Sequence, residues 1–472
     1  MASRRRIVRF MKVTAPMTAR SFNLVEPLPH EGTDMRITET AGYGQDRSGA
    51  VSLPRIRQAD IDSSIQSSTR RILATPGIRT STTATRTTTT STTSSAPVPS
   101  ADRSRHHHAD FPFEELAQAY FDCRASKRNS ASALAFEQDL EHNLRTLFDE
   151  LHDGSYAPGR SICFVITRPK PREVWAADFR DRIVHHLLYN RISPRFYATF
   201  VVDSCACIPA RGTLYAAERL EAKVRSVTQN WSRPAHYLKL DLANFFVSID
   251  KTILHELIAN RVTEPWWQQL ADQILFHDPR QNYEMRGRPE LLERVPKHKR
   301  LTSQPSHLGL PIGNLSSQFF ANIYLDVLDQ FVKHRIGARH YVRYVDDFVL
   351  LHTSPQWLNA AHDAIAAFLP ERLHAHLNDG KTVLQPVARG IDFVGQVIKP
   401  WRRSTRRRTF NEALRRVREI EPENLFATAN SYFGLLRQSG HSHHDRALLA
   451  NVLRDRGHCI KADLTKTYRR SI

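Results

Sequence analysis

Tyr341-Val342-Arg343-Tyr344-Val345-Asp346-Asp347-Phe348-Val349-Leu350-Leu351 is an apolar run, then two adjacent carboxylates, then a second apolar run. The β-branched and aromatic residues on either side predict two strands joined by a tight turn, with Asp346-Asp347 at or beside its tip. Two carboxylates on a hairpin tip repel each other, and a hard divalent cation with oxygen ligands is their natural partner. Asp also favours ordinary surface turns. The stretch therefore gains meaning only from others upstream.

The first of these is His236-Tyr-Leu-Lys-Leu-Asp241-Leu-Ala-Asn-Phe245-Phe246-Val-Ser-Ile-Asp250. An alternating strand runs into Asp241, a turn follows, and Ser248 or Asp250 is placed to cap a helix. A carboxylate ending a buried strand is costly unless paired or metal-bound. If this strand neighbours the Asp-Asp hairpin, three carboxylates converge on one point, the ligand set for two magnesium ions in phosphoryl transfer. The second is Gly309-Leu-Pro-Ile312-Gly313-Asn-Leu-Ser-Ser317-Gln318-Phe-Phe-Ala-Asn322. Here a Gly-Pro-Gly turn opens a long helix, and its amides could support a base pair and phosphates. A plain glycine turn is the alternative.

Lys and Arg number 67 against 48 acidic residues in a 472-residue chain, a net charge of +19 and a pI near 10.0. A basic excess of that size points to a polyanion, first of all nucleic acid. No run approaches the roughly 20 apolar residues of a membrane-spanning helix, and the Arg-rich start lacks an apolar signal core. We expect a cytoplasmic protein with no membrane partner. Cys123, Cys163, Cys205, Cys207 and Cys459 are too scattered for a disulfide framework. His106 to His108, and His441, His443 and His444, read as solvated tracts rather than metal sites.

Residues 1–108 lack apolar periodicity and are Ser/Thr-rich from Ser81 to Ser95, so the expectation is a disordered extension. From Phe111 to Leu151 the spacing is helical, ending at Asp153-Gly154. Ile162 to Ile166 predicts a short strand, and the turn Arg168-Pro169-Lys170-Pro171-Arg172 makes a basic two-stranded finger. Lys170 and Arg172 there are either surface charge or a clamp for a triphosphate. Ala176 to Ile192 reads as a helix broken in its middle by Arg180-Asp181-Arg182. Arg211-Gly212-Thr213 leads into another helix ending near Thr228. Pro355 to Leu377 reads as a helix, Thr382 to Leu384 as a strand, and helices are expected from Glu412. The last 72 residues carry 16 Lys/Arg against 7 Asp/Glu, which suits a clamp on a duplex backbone.

Over roughly Phe111 to Tyr468 the ordered set resembles the reverse transcriptases of bacterial retroelements. The set is the basic finger, Asp241 with Phe245-Phe246, Gly-Leu-Pro-Ile-Gly before a helix, Tyr-Val-Asp-Asp, a downstream Gly380-Lys381, and Phe393-Val394-Gly395. Within that family it looks most like the diversity-generating branch. Most relatives have Gln-Gly where this chain has Ile312-Gly313, with Ser-Pro where it has Ser317-Gln318. Arg168 to Arg182 and Asp203 to Gly212 also resemble that branch, although Ile208 stands where Arg belongs.

The resemblance implies an α+β right-hand polymerase. Its parts would be fingers with N-terminal helices over 109–235, a palm with antiparallel sheet over 236–400 and a basic helical thumb over 401–472. It implies that Asp241, Asp346 and Asp347 bind two magnesium ions. Lys170 and Arg172 would grip the triphosphate, and Lys381 would protonate the leaving pyrophosphate. Phe246 would exclude a ribose 2′-hydroxyl, while Ile312, Gly313 and Gln318 would line the incoming nucleotide. Phe393 and Gly395 would help hold the primer end. The implied partners are a template RNA, a DNA or RNA primer, dNTPs and a small basic accessory protein. Ile312 offers shape where glutamine offers a hydrogen bond, which implies relaxed fidelity. A related enzyme of antiphage defence, or a catalytically silent RNA-binding protein, are the competing readings.

Overall fold

The computed structural model describes residues 109–125, 130–167 and 170–468. The expected disordered extension, His106 to His108 and the Arg168-Pro169 part of the basic turn lie outside them. Three helices come first: α1 (Phe113–Ala125), α2 (Ala131–Glu137) and α3 (Leu140–Asp153). Ser130 caps α2 through its hydroxyl, and Gly154 ends α3 at a φ of +78°, where glycine has no Cβ penalty. Strands β1 (Ser161–Ile166) and β2 (Arg172–Ala176) pair antiparallel.

Helix α4 (Phe179–Tyr197) departs from the expected helix at both ends. It begins at a cap from Asp178, whose carboxylate accepts from the Arg180 amide. Arg180-Asp181-Arg182 does not break it, because Asp181 lies buried in the first turn and accepts from Tyr156 Oη at 3.0 Å and the Gly159 amide at 2.8 Å. Pro194, two residues past the expected end, sits inside the helix.

Next come α5 (Thr213–Val227), β3 (His236–Asp241), the single turn α6 (Phe245–Ser248) and α7 (Lys251–Ala259), which Asp250 caps. α8 (Pro265–Phe276) leads to β4 (Tyr283–Met285), which joins β1 in parallel. α9 (Leu315–Gln330) precedes the hairpin β5 (His340–Tyr344) and β6 (Asp347–His352). α10 (Pro355–Leu373) ends four residues earlier than expected, at a left-handed His374. The chain beyond it runs beside the end of β3, where the His376 carbonyl accepts from the Ala243 amide at 2.9 Å. β7 (Val383–Pro386), β8 (Ile391–Phe393), β9 (Gln396–Lys399) and β10 (Arg402–Thr405) follow. The terminal helices are α11 (Arg407–Glu419), α12 (Pro422–Leu436) and α13 (His443–Asp455). α11 starts five residues ahead of the expected Glu412.

The fold is α+β, centred on an antiparallel sheet of order β5-β6-β3-β7. Strand side chains alternate between faces. Leu238, Leu240, Phe348 and Leu350 face a core shared with Phe319, Ile323 and Tyr324 of α9 and with Leu358 and Ile365 of α10. Tyr237, Val349 and Leu351 face the other way, against Leu220 and Val224 of α5 and against Phe393 and Ile398. The terminal helices hold a separate core around Phe410, Phe433 and Leu449. All five cysteines are free. Among the described residues no helix is long and apolar enough to cross a membrane.

Candidate active site

β3 and β6 are neighbours, and Asp241 lies directly opposite Asp347 in their register. Val345 turns the hairpin at a φ of +56°. The Asp346 carbonyl accepts from the Leu242 amide at 3.2 Å, drawing the turn to the same sheet end. The side chains do not form a ready-made ligand triad: among the described residues no three acidic, His or Cys groups stand at metal-binding spacing. Two of the carboxylates pair with lysines. Lys381 Nζ is 2.5 Å from Asp241 Oδ1, and Lys239 Nζ is 3.0 Å from Asp347 Oδ2. Asn378 adds an amide to Asp241 Oδ1 at 3.3 Å.

Burial still raises two of the three carboxyls. Burial pushes the Asp346 carboxyl up and Asp241 adds to it, while Lys381 and Arg172 oppose. Asp347 is pushed up to about 6, first by burial; Lys239 pulls it back, and Asp346 and Asp241 push it further. Among the described residues Asp347 Oδ1 is buried with no hydrogen-bond partner, and such atoms call for an explanation. A hard cation among these oxygens would satisfy it, so the residues fit a divalent metal. Asp241 and Asp347 border a cavity of about 370 Å³, lined also by Lys239, Lys381, Asp392 and Arg406.

Arg172 opens β2, within electrostatic reach of Asp346. Lys170 is exposed in the turn before it. The loop before α9 runs along β2: the Ile312 carbonyl accepts from the Trp175 amide at 2.7 Å, and Asn314 Oδ1 accepts from the Ala177 amide at 3.0 Å. A Cβ on Gly313 would lie 2.7 Å from the Trp175 carbonyl oxygen, at a φ of +133°. Glycine is thus required for close approach to β2, not only for a turn. Gly313→Ala is expected to cost about 2 kcal/mol or more, read as a lowered urea midpoint. Ile312 and Gln318 are half-buried. Phe246 is half-buried beside Phe245, and its carbonyl accepts from the Leu310 amide at 2.8 Å.

Phe393, expected with Gly395 to help hold the primer end, lies inside the protein. It is fully buried among Tyr237, Val349 and Ile398. It anchors a turn in which Val394 and Gly395 take φ of +44° and +82°. Ile208 is buried in the main core, which suits an apolar residue at that position.

Sequence reading missed Lys239 and the support beneath the turn. The first was legible in the two-residue strand period, which puts Lys239 on the face of Asp241. The second is Arg343, fully buried and paired to Asp329 of α9 at 2.8 and 2.6 Å. It also donates to the Val345 carbonyl at 3.1 Å and to Ser204 Oγ at 2.8 Å. Asp329 further accepts from Tyr341 Oη at 2.6 Å. The Asp-Asp turn is thereby tied to α9 and to the 203–205 loop.

Residues 168–398 match the family model described as reverse transcriptase (RNA-dependent DNA polymerase). No curated protein sequence matches the chain. Among solved structures, the chain is similar to apo telomerase from Candida tropicalis truncated from its C-terminal domain, with 15% identity and a TM-score of 0.39, over 52% of this chain and 55% of that one. Telomerase from Candida albicans, in complex with a TWJ fragment of telomeric RNA, matches with 16% identity and a TM-score of 0.36, over 63% and 54%. The chain spans little more than half the length of these structures. Residues 168–398 are a reverse transcriptase domain, a domain of the RNA-directed DNA polymerase class of nucleotidyltransferases.

Proposed function

We propose that the chain is an RNA-directed DNA polymerase that copies a template RNA into cDNA, with low fidelity, as part of a diversity-generating retroelement. The observation that carries the polymerase reading is the pairing of β3 with β6, which sets Asp241 opposite Asp347 with Asp346 in the adjoining turn. In this reading 109–235 are the fingers, 236–400 the palm and 401–472 the thumb. Its partners are template RNA, a DNA or RNA primer, dNTPs and a small basic accessory protein.

The primer 3′-oxygen attacks the α-phosphorus of a dNTP, and pyrophosphate leaves. Asp241, Asp346 and Asp347 would hold two magnesium ions, which when bound lower the pKa of the 3′-hydroxyl and offset charge on the triphosphate. Arg172 binds the triphosphate as a fork and Lys170 as a point charge. Lys381, whose ammonium already reaches Asp241, gives a proton to the departing pyrophosphate. Phe246 sets its ring against the sugar and rejects a 2′-hydroxyl. The turn at Gly395 holds the primer end, and the arginines of α11 follow the duplex phosphates.

Ile312 supports the mutagenic part of the reading. Its side chain fits an incoming base by shape alone, so discrimination between bases falls short by about 1–3 kcal/mol relative to a hydrogen-bonding residue. Ile312→Gln is therefore expected to lower misincorporation roughly tenfold, most of all opposite template adenine. Sequencing of cDNA made by both proteins checks it. A near-repeat beside the gene, differing at adenines, supports the diversity-generating role. Accurate copying by the unmodified protein, with no such repeat, moves the enzyme to antiphage defence or another role.

A further inference from the structure

We propose that Lys239 is a positioning residue of the polymerase site, fixing Asp347 to the β8–β9 hairpin so that a single oxygen of Asp347 faces the other carboxylates. The inference rests on the polymerase reading and deepens it.

The strand period puts Lys239 on the same sheet face as Asp241, and the register sets it opposite Val349 on one side and Val383 on the other. Its stem thus passes between two apolar neighbours, and the side chain is only 19% exposed. An ammonium in such a place needs defined partners to offset its lost hydration. Among the described residues it has two, on different elements. Nζ donates to the Asp392 carbonyl of β8 at 2.7 Å and pairs with Asp347 Oδ2 at 3.0 Å. Oδ1, the second oxygen of Asp347, has no partner among the described residues.

The connection continues beyond Lys239. The Asp392 carboxylate accepts from Arg406 Nε at 2.7 Å, and the Arg406 amide donates to the Gly395 carbonyl at 3.0 Å. Arg406 immediately precedes α11. One continuous set of bonds thus runs from the Asp-Asp turn through Lys239 to the Gly395 turn and the start of α11. A carboxylate with one oxygen tied has one orientation, whereas an untied one turns about a broad, two-fold χ2. Lys239 therefore fixes both the aim of Asp347 and its spacing from the turn proposed to hold the primer end.

The test is a double-mutant cycle on the full chain with Lys239→Gln, Asp347→Asn and both together, and with Lys239→Arg as the conservative variant. Single-turnover DNA synthesis, dNTP KM, primer–template Kd by anisotropy and melting temperature are read for each. Lys239→Gln is expected to lower the rate about tenfold or more, as loss of an orienting partner does, with KM and Kd within about twofold. The double variant is expected to be no slower than Asp347→Asn alone, and Lys239→Arg to recover most of the rate. A full rate in Lys239→Gln, or a double variant as slow as the product of both losses, overturns the proposal. If Lys239→Gln fails to fold, the decision falls to Lys239→Arg alone and combined with Asp347→Asn. Unmodified protein that copies no RNA contradicts the polymerase reading instead, and the melting temperatures of the cycle then decide the pairing by themselves.

Discussion

Asp346→Asn is expected to reduce DNA synthesis by about 10³-fold or more while raising the melting temperature of the protein without added magnesium. The two effects share one cause. Asp346 sits in the hairpin turn with Asp241 nearby, and burial together with that neighbour raises its carboxyl above the ordinary range. A raised folded-state pKa means that the fold favours the protonated form. The stabilising share is complete below the unfolded value and is lost as pH rises through the folded one. Near neutral pH and above, the ionised group therefore costs stability, and asparagine removes that cost. Below the unfolded pKa the group is neutral in both states, and the gain disappears. The checks are primer extension, and differential scanning calorimetry at about pH 3 and about pH 8. Strain of this kind is kept where function needs it. A variant both inactive and less stable at the higher pH would show that Asp346 supports the fold instead.

The second large effect concerns Arg343. Arg343 and Asp329 are both about 1% exposed and exchange two short hydrogen bonds. Arg343→Met leaves the Asp329 carboxylate buried with Tyr341 Oη as a neutral partner, and breaking such a pair costs about 3–5 kcal/mol. The expected result is a urea midpoint far below that of the unmodified protein, with DNA synthesis lost even where the variant still folds. Activity falls because Arg343 holds the Val345 carbonyl, and with it the turn that carries Asp346 and Asp347. Removing both charges, as in Arg343→Met/Asp329→Leu, is expected to recover much of the stability, since no unpaired charge remains buried. Activity is not expected to return with it, because the contacts to Val345 and Ser204 stay absent.

The parts of the fold legible in sequence were those with a strong period or a strong stop. Tyr341 to Leu351 reads as a hairpin because β-branched and aromatic residues flank a turn pair, and it is one. His236 to Asp241 reads as a strand by alternation, and Gly154 ends a helix where its free φ is used. Legibility failed where tertiary contacts overrode local signals. Arg180-Asp181-Arg182 looks like a break until Asp181 is seen bonded to Tyr156 and Gly159. Leu377 continues an apolar pattern, yet His376 and Leu377 pair with the chain beyond β3 instead of extending α10.

The candidate site divides along the same line. Asp241, Asp346 and Asp347 stand out because carboxylates ending apolar strands need a reason to be there. Lys239 and Arg343 look like solvated charge in a linear sequence, and only their partners 153 and 14 residues away give them roles. Phe393 was legible as important but not as buried, since an aromatic at a strand end serves a core or a ligand equally well.

The most direct test of the account is primer extension on a defined RNA template with magnesium, comparing dNTPs with rNTPs, beside an Asp346→Asn/Asp347→Asn protein. The account predicts DNA products from dNTPs that disappear in the double variant. RNA-templated DNA synthesis that persists in that variant, or its absence in the unmodified protein even with its accessory protein and native RNA added, would contradict it.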